Sequence, residues 1–267
     1  MPDLDTDAVR LERDGDVARI VLTTPDRRNA LSVETSTGIM DAVDALEGTD
    51  VGAVVVEGEG PAFCAGGDVE AMIERQESDV ALDDSVRHII QETGRAIARV
   101  AKCEFPTIAK VDGPAFGAGG NLAIACDMQL MSESATIGFG FRNVGLAVDS
   151  GTSYLLPQLV GDNVARELVF TGELVEGDRA VDLGLANHVY PDDEFEERAE
   201  ELIATIAEGP SAALRTSKRL MRLGPDATLQ AAIENEAGAQ AAIFDSADHA
   251  EGVEAFREKR EPEFEGR

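Results

Sequence analysis

The chain has 267 residues, is 43% hydrophobic, and sets 52 Asp and Glu against 23 Lys and Arg for a net charge of −29. That length supports one large domain with a substantial core, or a domain with a helical appendage. Such a negative field repels nucleic acid and anionic membranes, so neither is expected as a partner. No apolar run approaches the ~20 residues of a membrane helix. The N-terminal MPDLDTDAVRLERDGD is acidic and lacks the apolar stretch of a secretory signal. Cys64, Cys103 and Cys126 are too few, and have no CxxC spacing, for a disulfide framework or a structural zinc site. A reducing cytoplasm is the expected compartment, and no metal is expected.

In chain order, residues 8–23 predict a hairpin: VRLER and VARIVLTT alternate, with Asp14-Gly15 as the turn signal. Residues 32–47 predict a helix capped by Ser32, with Val33, Ile39, Met40, Val43 and Leu46 as its apolar stripe. VGAVVVEG (51–58) reads as a buried strand, GPAFCAGGD (60–68) as a loop, and a helix is expected from about Asp68. Residues 83–102 are helical in pattern. PTIAKVDG (106–113) reads as a second buried strand, followed by the glycine-rich GPAFGAGGN and a small-residue helix. CDMQLMSE (126–133) reads as a strand, and beyond about residue 150 the pattern is helical apart from a short strand near His188–Tyr190. The fold class is α/β, with a repeated strand–loop–helix passage at 51–77 and 106–125.

The acidic residues are spread through these periodic segments and are not gathered in tails, which argues against a disordered chain. Lysine occurs only at 102, 110, 218 and 259, and tryptophan is absent. The pattern resembles proteins of halophiles that keep molar salt in the cytoplasm, where a Debye length of ~3 Å screens self-repulsion.

Both glycine-rich loops follow a buried strand and lead into a helix, which aims backbone N–H groups and the positive end of a helix dipole at whatever lies in front. Small residues at Ala65, Gly66 and Gly67, and at Gly117, Ala118, Gly119 and Gly120, admit close approach. Two facing loops of this kind form an oxyanion hole, a device for chemistry that places negative charge on a carbonyl oxygen. Each loop alone is equally a tight turn for helix–strand packing. Neither gives GxGxxG, and no GxxxxGK[ST] or GxSxG is present.

RRNALS (27–32), AFCAGGD (62–68), GPAFGAGGNLAIACD (113–127), VGLAVDSGTSYLLPQLVG (144–161) and EGVEAFREKREPEF (251–264) together resemble the ordered motifs of the crotonase (enoyl-CoA hydratase/isomerase) superfamily. The resemblance covers essentially the whole chain. It implies a spiral of ββα units over residues 1–194 that holds a coenzyme-A site, and a C-terminal helical trimerisation region over 195–267. It also implies an acyl-CoA thioester substrate, no separate cofactor, and assembly as homotrimers or hexamers. Carried over residue by residue, the N–H groups of Ala65 and Ala118 are the expected oxyanion donors. Ala65, Gly66, Gly67 and Asp68 are expected along the CoA site, and Phe256 and Lys259 match positions that reach CoA from a neighbouring subunit. Lys259 is otherwise a solvated helix charge.

Hydratases of this superfamily use two glutamates, and here those positions hold Asn121 and Phe141. Neither residue transfers a proton near pH 7. Asp149, in GLAVDSGTS, resembles the aspartate of the ring-epoxide isomerases of aerobic phenylacetate breakdown and related enoyl-CoA isomerases, and of a 4-chlorobenzoyl-CoA dehalogenase that uses it as a nucleophile. The bland alternative is that Asp149 caps a helix beginning near Ser150. The expected function is therefore an enoyl-CoA isomerase that stabilises an enolate with Asp149 as acid/base. The alternatives are a hydratase with a different acid/base set and a non-catalytic binding member. Phe139 and Phe141 suggest an apolar acyl pocket or core. His88, His188 and His249 are expected to be structural or exposed, with His88 on the helix that lines the acyl pocket in relatives.

Overall fold

A computed structural model describes residues 4–78 and 81–266. The expected hairpin forms from β1 (Val9–Asp14) and β2 (Val17–Leu22), paired from Val9↔Leu22 to Asp14↔Val17. Its two-residue turn is Gly15-Asp16, one position later than the expected signal, with Gly15 at φ +56 as a primed turn requires. Helix α1 (Val33–Ala45) starts where Ser32 Oγ accepts the Thr35 N–H at 3.2 Å. It buries Ile39, Ala42 and Val43, while Val33 in its first turn stays exposed.

Strand β3 (Ala53–Gly58) is apolar without a break because both of its sides are covered. Val54 and Val56 enter the main core, whereas Ala53 and Val55 face a second, smaller cluster. Next come α2 (Val69–Glu77), α3 (Leu82–Gln91) and α4 (Thr93–Ala101). The single helix expected over 83–102 is thus two, broken where Glu92 leaves helical geometry at φ −105, ψ −97.

Strand β4 (Thr107–Val111) leads through β5 (Pro114–Phe116) into α5 (Ala118–Ala125). Strand β6 (Met128–Ser132) leads through β7 (Thr136–Gly138) to α6 (Thr152–Val160) and α7 (Asp162–Thr171). The remaining elements are β8 (Leu174–Glu176), α8 (Gly177–Asp182), β9 (His188–Tyr190), α9 (Phe195–Ala207), α10 (Ser211–Leu223), α11 (Leu229–Ile243) and α12 (Ala247–Glu258). The main sheet has the order β1-β2-β3-β4-β6-β9, parallel after the hairpin. A side sheet, β5-β7-β8, stacks the second strand of each turn. The chain therefore forms the expected spiral of ββα units followed by helices.

The smaller cluster packs Phe195, Ala199, Ile203 and Ala207 of α9 on Ala53, Val55, Ile108 and Leu130, with Leu202 and Ile206 at its margin. So α9 covers the back of the main sheet and belongs physically with the core, although it lies beyond residue 194. Lys110 Nζ ties it there, 2.7 Å from Glu196 and 3.1 Å from Glu200, with Glu57 of β3 at 3.4 Å. Helix α10 is held by Lys218, whose Nζ donates to Asp127 Oδ2 at 2.6 Å and to the Phe105 carbonyl at 2.7 Å. Met221, Leu229, Ile233, Phe244 and Phe256 on α10–α12 remain exposed. Among the described residues, no helix is long and apolar enough to cross a membrane.

Candidate active site

Two loops meet at the ends of β3 and β4. Asn29 organises the first. It sits in the left-handed region at φ +55, fully buried, and its Nδ2 donates to the carbonyls of Glu59 (2.9 Å) and Ala62 (2.8 Å). Its Oδ1 accepts the Thr24 N–H at 3.0 Å. One buried amide thus shapes the loop that follows β3. The two loops are then zipped together: Cys64 N–H donates to the Pro114 carbonyl at 3.1 Å, and Phe116 N–H to the Cys64 carbonyl at 2.9 Å. The contact demands glycine. A Cβ on Gly119 would lie 2.1 Å from the Cys64 oxygen, and one on Gly66 would lie 2.4 Å from the Phe116 oxygen.

The expected pair of donors needs one correction. Ala65 N–H is already engaged, donating to the Arg28 carbonyl at 2.9 Å. A bonded amide does not stabilise a developing oxyanion, so Ala65 is part of the loop's scaffold. Gly67, past the turn made by Gly66 at φ +96, has an N–H without a hydrogen-bond acceptor among the described residues. Ala118 N–H is the first amide of α5 and is likewise without one. The two loops approach closely here, since a Cβ on Gly66 would sit 3.4 Å from the Ala118 nitrogen. The signal available in the sequence was the paired glycine at 66–67, which allows a reversal of the backbone just before the free amide.

Asp149 lies in the loop before α6. The capping alternative does not hold: α6 begins after Gly151, and no side chain caps it. Asp149 is half-buried, and its Oδ1 is buried without a hydrogen-bond partner among the described residues. Burial pushes its carboxyl pKa above the ordinary value, and the adjoining Ser150 side chain offsets part of the rise. The main-chain carbonyl of Asp149 is tied down. It accepts from Asn121 Nδ2 at 3.1 Å and from Thr152 N–H at 3.0 Å. Asn121 is fully buried on α5, three residues after Ala118, so one helical turn connects a free amide to the Asp149 loop.

The other expected residues divide by environment. Asp68 is a local organiser: its Oδ1 accepts the N–H of Glu70 at 3.0 Å at the start of α2, and its Oδ2 pairs with Arg27 at 2.5 Å. Phe256 is 87% exposed near the end of α12, and Lys259 closes that helix in the left-handed region at φ +58, also exposed. Among the described residues, no hydrogen bond or ion pair joins either of them to Gly67, Ala118 or Asp149. Phe139 is fully buried in the main core, and Phe141 is buried on the short turn after β7. His188 stacks on Tyr190 at 5.7 Å and His249 lies against Phe244 at 5.2 Å; the side chain of His88 lies outside the described residues. Cys64, Cys103 and Cys126 are free and buried, and burial pushes the Cys64 thiol up to about 12. Sequence reasoning did not single out Arg28, whose carbonyl holds Ala65 and whose exposed guanidinium has no ion pair among the described residues, or Thr152.

The ββα spiral brings together two glycine-rich loops, and the Gly67 and Ala118 amides stand there without acceptors among the described residues. The enoyl-CoA hydratase/isomerase family model matches residues 12–267, and the chain belongs to that family. A Thermus thermophilus protein provisionally named an enoyl-CoA hydratase is 37% identical over 257 residues, covering 96% of this chain and 100% of that one. A 4-chlorobenzoyl coenzyme A dehalogenase from Arthrobacter sp is 30% identical over 252 residues, covering 94% of this chain and 91% of that one. Among solved structures, a provisionally named enoyl-CoA hydratase from Streptomyces coelicolor A3(2) matches with a TM-score of 0.92 at 34% identity, over 100% of this chain and 97% of that one.

Proposed function

We propose that this chain is an enoyl-CoA isomerase in which Gly67 and Ala118 N–H groups hold the thioester oxygen and Asp149 moves the proton. The observation that carries this reading is the distribution of ionisable groups. Asn121 and Phe141 are buried and offer no acid or base, while Asp149 presents a half-buried carboxyl with an unpaired oxygen. On a 3-enoyl thioester, the Asp149 carboxylate takes the C2 proton. The C–H electron pair then spreads into a dienolate whose oxygen the two amides stabilise. The same carboxyl returns the proton at C4, the double bond moves from C3–C4 to C2–C3, and no atom is gained or lost. Removing one such donor costs ~3 kcal/mol in other oxyanion holes, so the amides supply the larger part of the rate.

The CoA phosphates would meet Arg28 beside the loop, and Phe256 and Lys259 of a neighbouring subunit. The exposed apolar side chains of α10–α12 support a trimer or hexamer. Three buried free thiols fit a reducing cytoplasm. A charge of −29 fits a cytoplasm of high salt.

A hydratase reading is favoured by one observation, the hydratase names of the Thermus and Streptomyces relatives. It requires a water activated by Asp149 in place of two glutamates. A mass-spectrometric screen of CoA thioesters in molar KCl separates the two. Rearrangement without mass change supports the isomerase, and gain of one water replaces it with the hydratase.

A further inference from the structure

We propose that Asn121 is a positioning residue that, with Thr152, clamps the main chain of Asp149 so that its carboxyl is held relative to the Ala118 amide. This inference rests on the reading of Asp149 as the proton-transfer group. Three donors converge on the Asp149 carbonyl oxygen: Asn121 Nδ2 at 3.1 Å, Thr152 N–H at 3.0 Å and Thr152 Oγ1 at 2.9 Å. A carbonyl oxygen has two lone pairs, and the Thr152 hydroxyl has a second acceptor, Asn121 Oδ1, also at 2.9 Å. The arrangement that satisfies every group is a closed ring. Asn121 Nδ2 and Thr152 N–H donate to the Asp149 carbonyl, and the Thr152 hydroxyl donates to Asn121 Oδ1.

This ring needs a side chain at 121 that donates at one end and accepts at the other, which an amide does and a carboxylate does not. Both Asn121 and Thr152 are buried to within 1% of completely, so the ring is shielded from competing water. It holds an unfavourable conformation in place. Ser150, directly after Asp149, sits in the left-handed region at φ +49, and Gly151 follows at φ +90. Two consecutive left-handed residues turn the chain sharply between Asp149 and α6, and they leave Asp149 Oδ1 and Ser150 Oγ buried without partners among the described residues. Buried polar atoms that the chain itself does not satisfy mark a place where a group from outside the chain belongs. Helix α5 completes the connection. All eight of its residues are buried, and it carries Ala118 and Asn121 three apart on one face. The spacing between the oxyanion donor and the acid/base group is then set by one rigid turn. In this chain the residue at 121 performs no proton transfer; it determines where the proton-transfer group stands.

The test uses trans-3-hexenoyl-CoA as probe, with conversion to the conjugated 2-enoyl thioester followed by ultraviolet absorbance in molar KCl. Asn121→Ala and the near-isosteric Thr152→Val are expected to lower kcat about 10–100-fold with KM within about twofold of wild type, at temperatures well below each variant's Tm. Thr152→Ser is expected to regain most of what Thr152→Val loses. Thr152→Val keeps the shape and the N–H, so the test survives if Asn121→Ala fails to fold. The deciding measurement is the double variant Asp149→Asn with Thr152→Val. Positioning through Asp149 predicts no further loss beyond Asp149→Asn alone. Multiplicative losses, a loss carried by KM, or wild-type kcat in Thr152→Val overturns the proposal and leaves the Asp149 reading standing. Wild-type kcat in Asp149→Asn, or no turnover of the probe by the wild-type enzyme, overturns both.

Discussion

Lys110 Nζ lies 2.7 Å from Glu196 Oε1, and this contact fastens a lysine on the central strand β4 to the helix that covers the back of the sheet. The Lys110 side chain is only 7% exposed and is ringed by Glu57, Glu196 and Glu200. Burial by itself would lower its pKa. The hydrogen bond to Glu196 and the field of the other glutamates outweigh that effect, and the pKa rises. A raised lysine pKa stabilises the fold at every pH below the ordinary lysine range, and the contribution disappears only as pH climbs through the raised value.

Replacing Lys110 with Met leaves three carboxylates facing one another with Arg19 as their one ion-pair partner among the described residues. Breaking a buried pair costs about 3–5 kcal/mol, and the exposure of Glu196 puts this site at the lower end. Thermal unfolding at fixed salt measures the loss, which should shrink as KCl is raised. An unchanged Tm would show that α9 is held by its apolar face alone.

Asp149→Asn should reduce turnover by ~10²–10⁴-fold and leave thioester binding intact. Its effect on stability has the opposite sign. A carboxyl whose folded pKa is raised destabilises the fold in its ionised form above the unfolded value, and this penalty is relieved as pH falls through the folded value. The amide carries no such penalty, so Asp149→Asn should melt at or above the wild-type temperature at neutral pH. A lower Tm would point to a structural role for the charge.

The same shift sets the pH profile. With Asp149 as base, kcat/KM should fall on the acid side with a midpoint above the ~3.9 of an unperturbed aspartate. The Asp149→Asn variant should lose that limb. A limb that persists in the variant assigns it to another group.

Gly119→Ala tests the contact between the loops. The added Cβ would meet the Cys64 carbonyl oxygen at 2.1 Å, which is backbone and cannot swing aside. Overpacking of this kind costs about 1–3 kcal/mol, and activity should fall further than stability because Ala118 shifts with its neighbour. Retained kcat would separate the loop contact from the alignment of the amides.

Lowering the salt lengthens the Debye distance from ~3 Å at 1 M to ~10 Å at 0.1 M. With 52 acidic side chains against 23 basic ones, repulsion grows across the whole surface. Circular dichroism and turnover should both decline below a few tenths molar KCl. Full stability in dilute buffer would remove the high-salt reading.

The long elements were legible in the sequence because their patterns are long. The 8–23 hairpin, the Ser32-capped helix and the strands around 53–58 and 107–111 each repeat a period often enough to be read. The side sheet was not. Its strands β5, β7 and β8 have three residues each, fewer than two periods of alternation, and they exist because the main sheet brings them together. The break at Glu92 was hidden for a related reason, since both flanking helices are amphipathic and the pattern passes across the junction. In the site, glycine content located both loops correctly. It did not distinguish Ala65 from Gly67, because which amide is left free depends on where Arg28 places its carbonyl, a contact between segments 37 residues apart (65 − 28). Thr152 escaped notice because its partners, Asn121 and Asp149, come together only in the fold.

The zipper between Cys64 and Phe116 carries a consequence for how such an enzyme can change. The Gly67 and Ala118 amides, which the proposed function sets against the thioester oxygen, belong to the main chain and are registered by other main-chain atoms, so few side-chain substitutions reach them except at the glycines that permit the contact. On the proposed function, the residues that set the acid/base chemistry, at 121, 141 and 149, are side chains placed around that frame, two of them buried. Random mutation therefore meets a division of labour. On that reading, a change at one of these glycines disturbs the frame of both amides, whereas changes at 121, 141 and 149 alter the acid/base set and leave the contact between the loops in place. A library confined to those three positions, with the glycines left untouched, is the shortest route to a different reaction on the same chain.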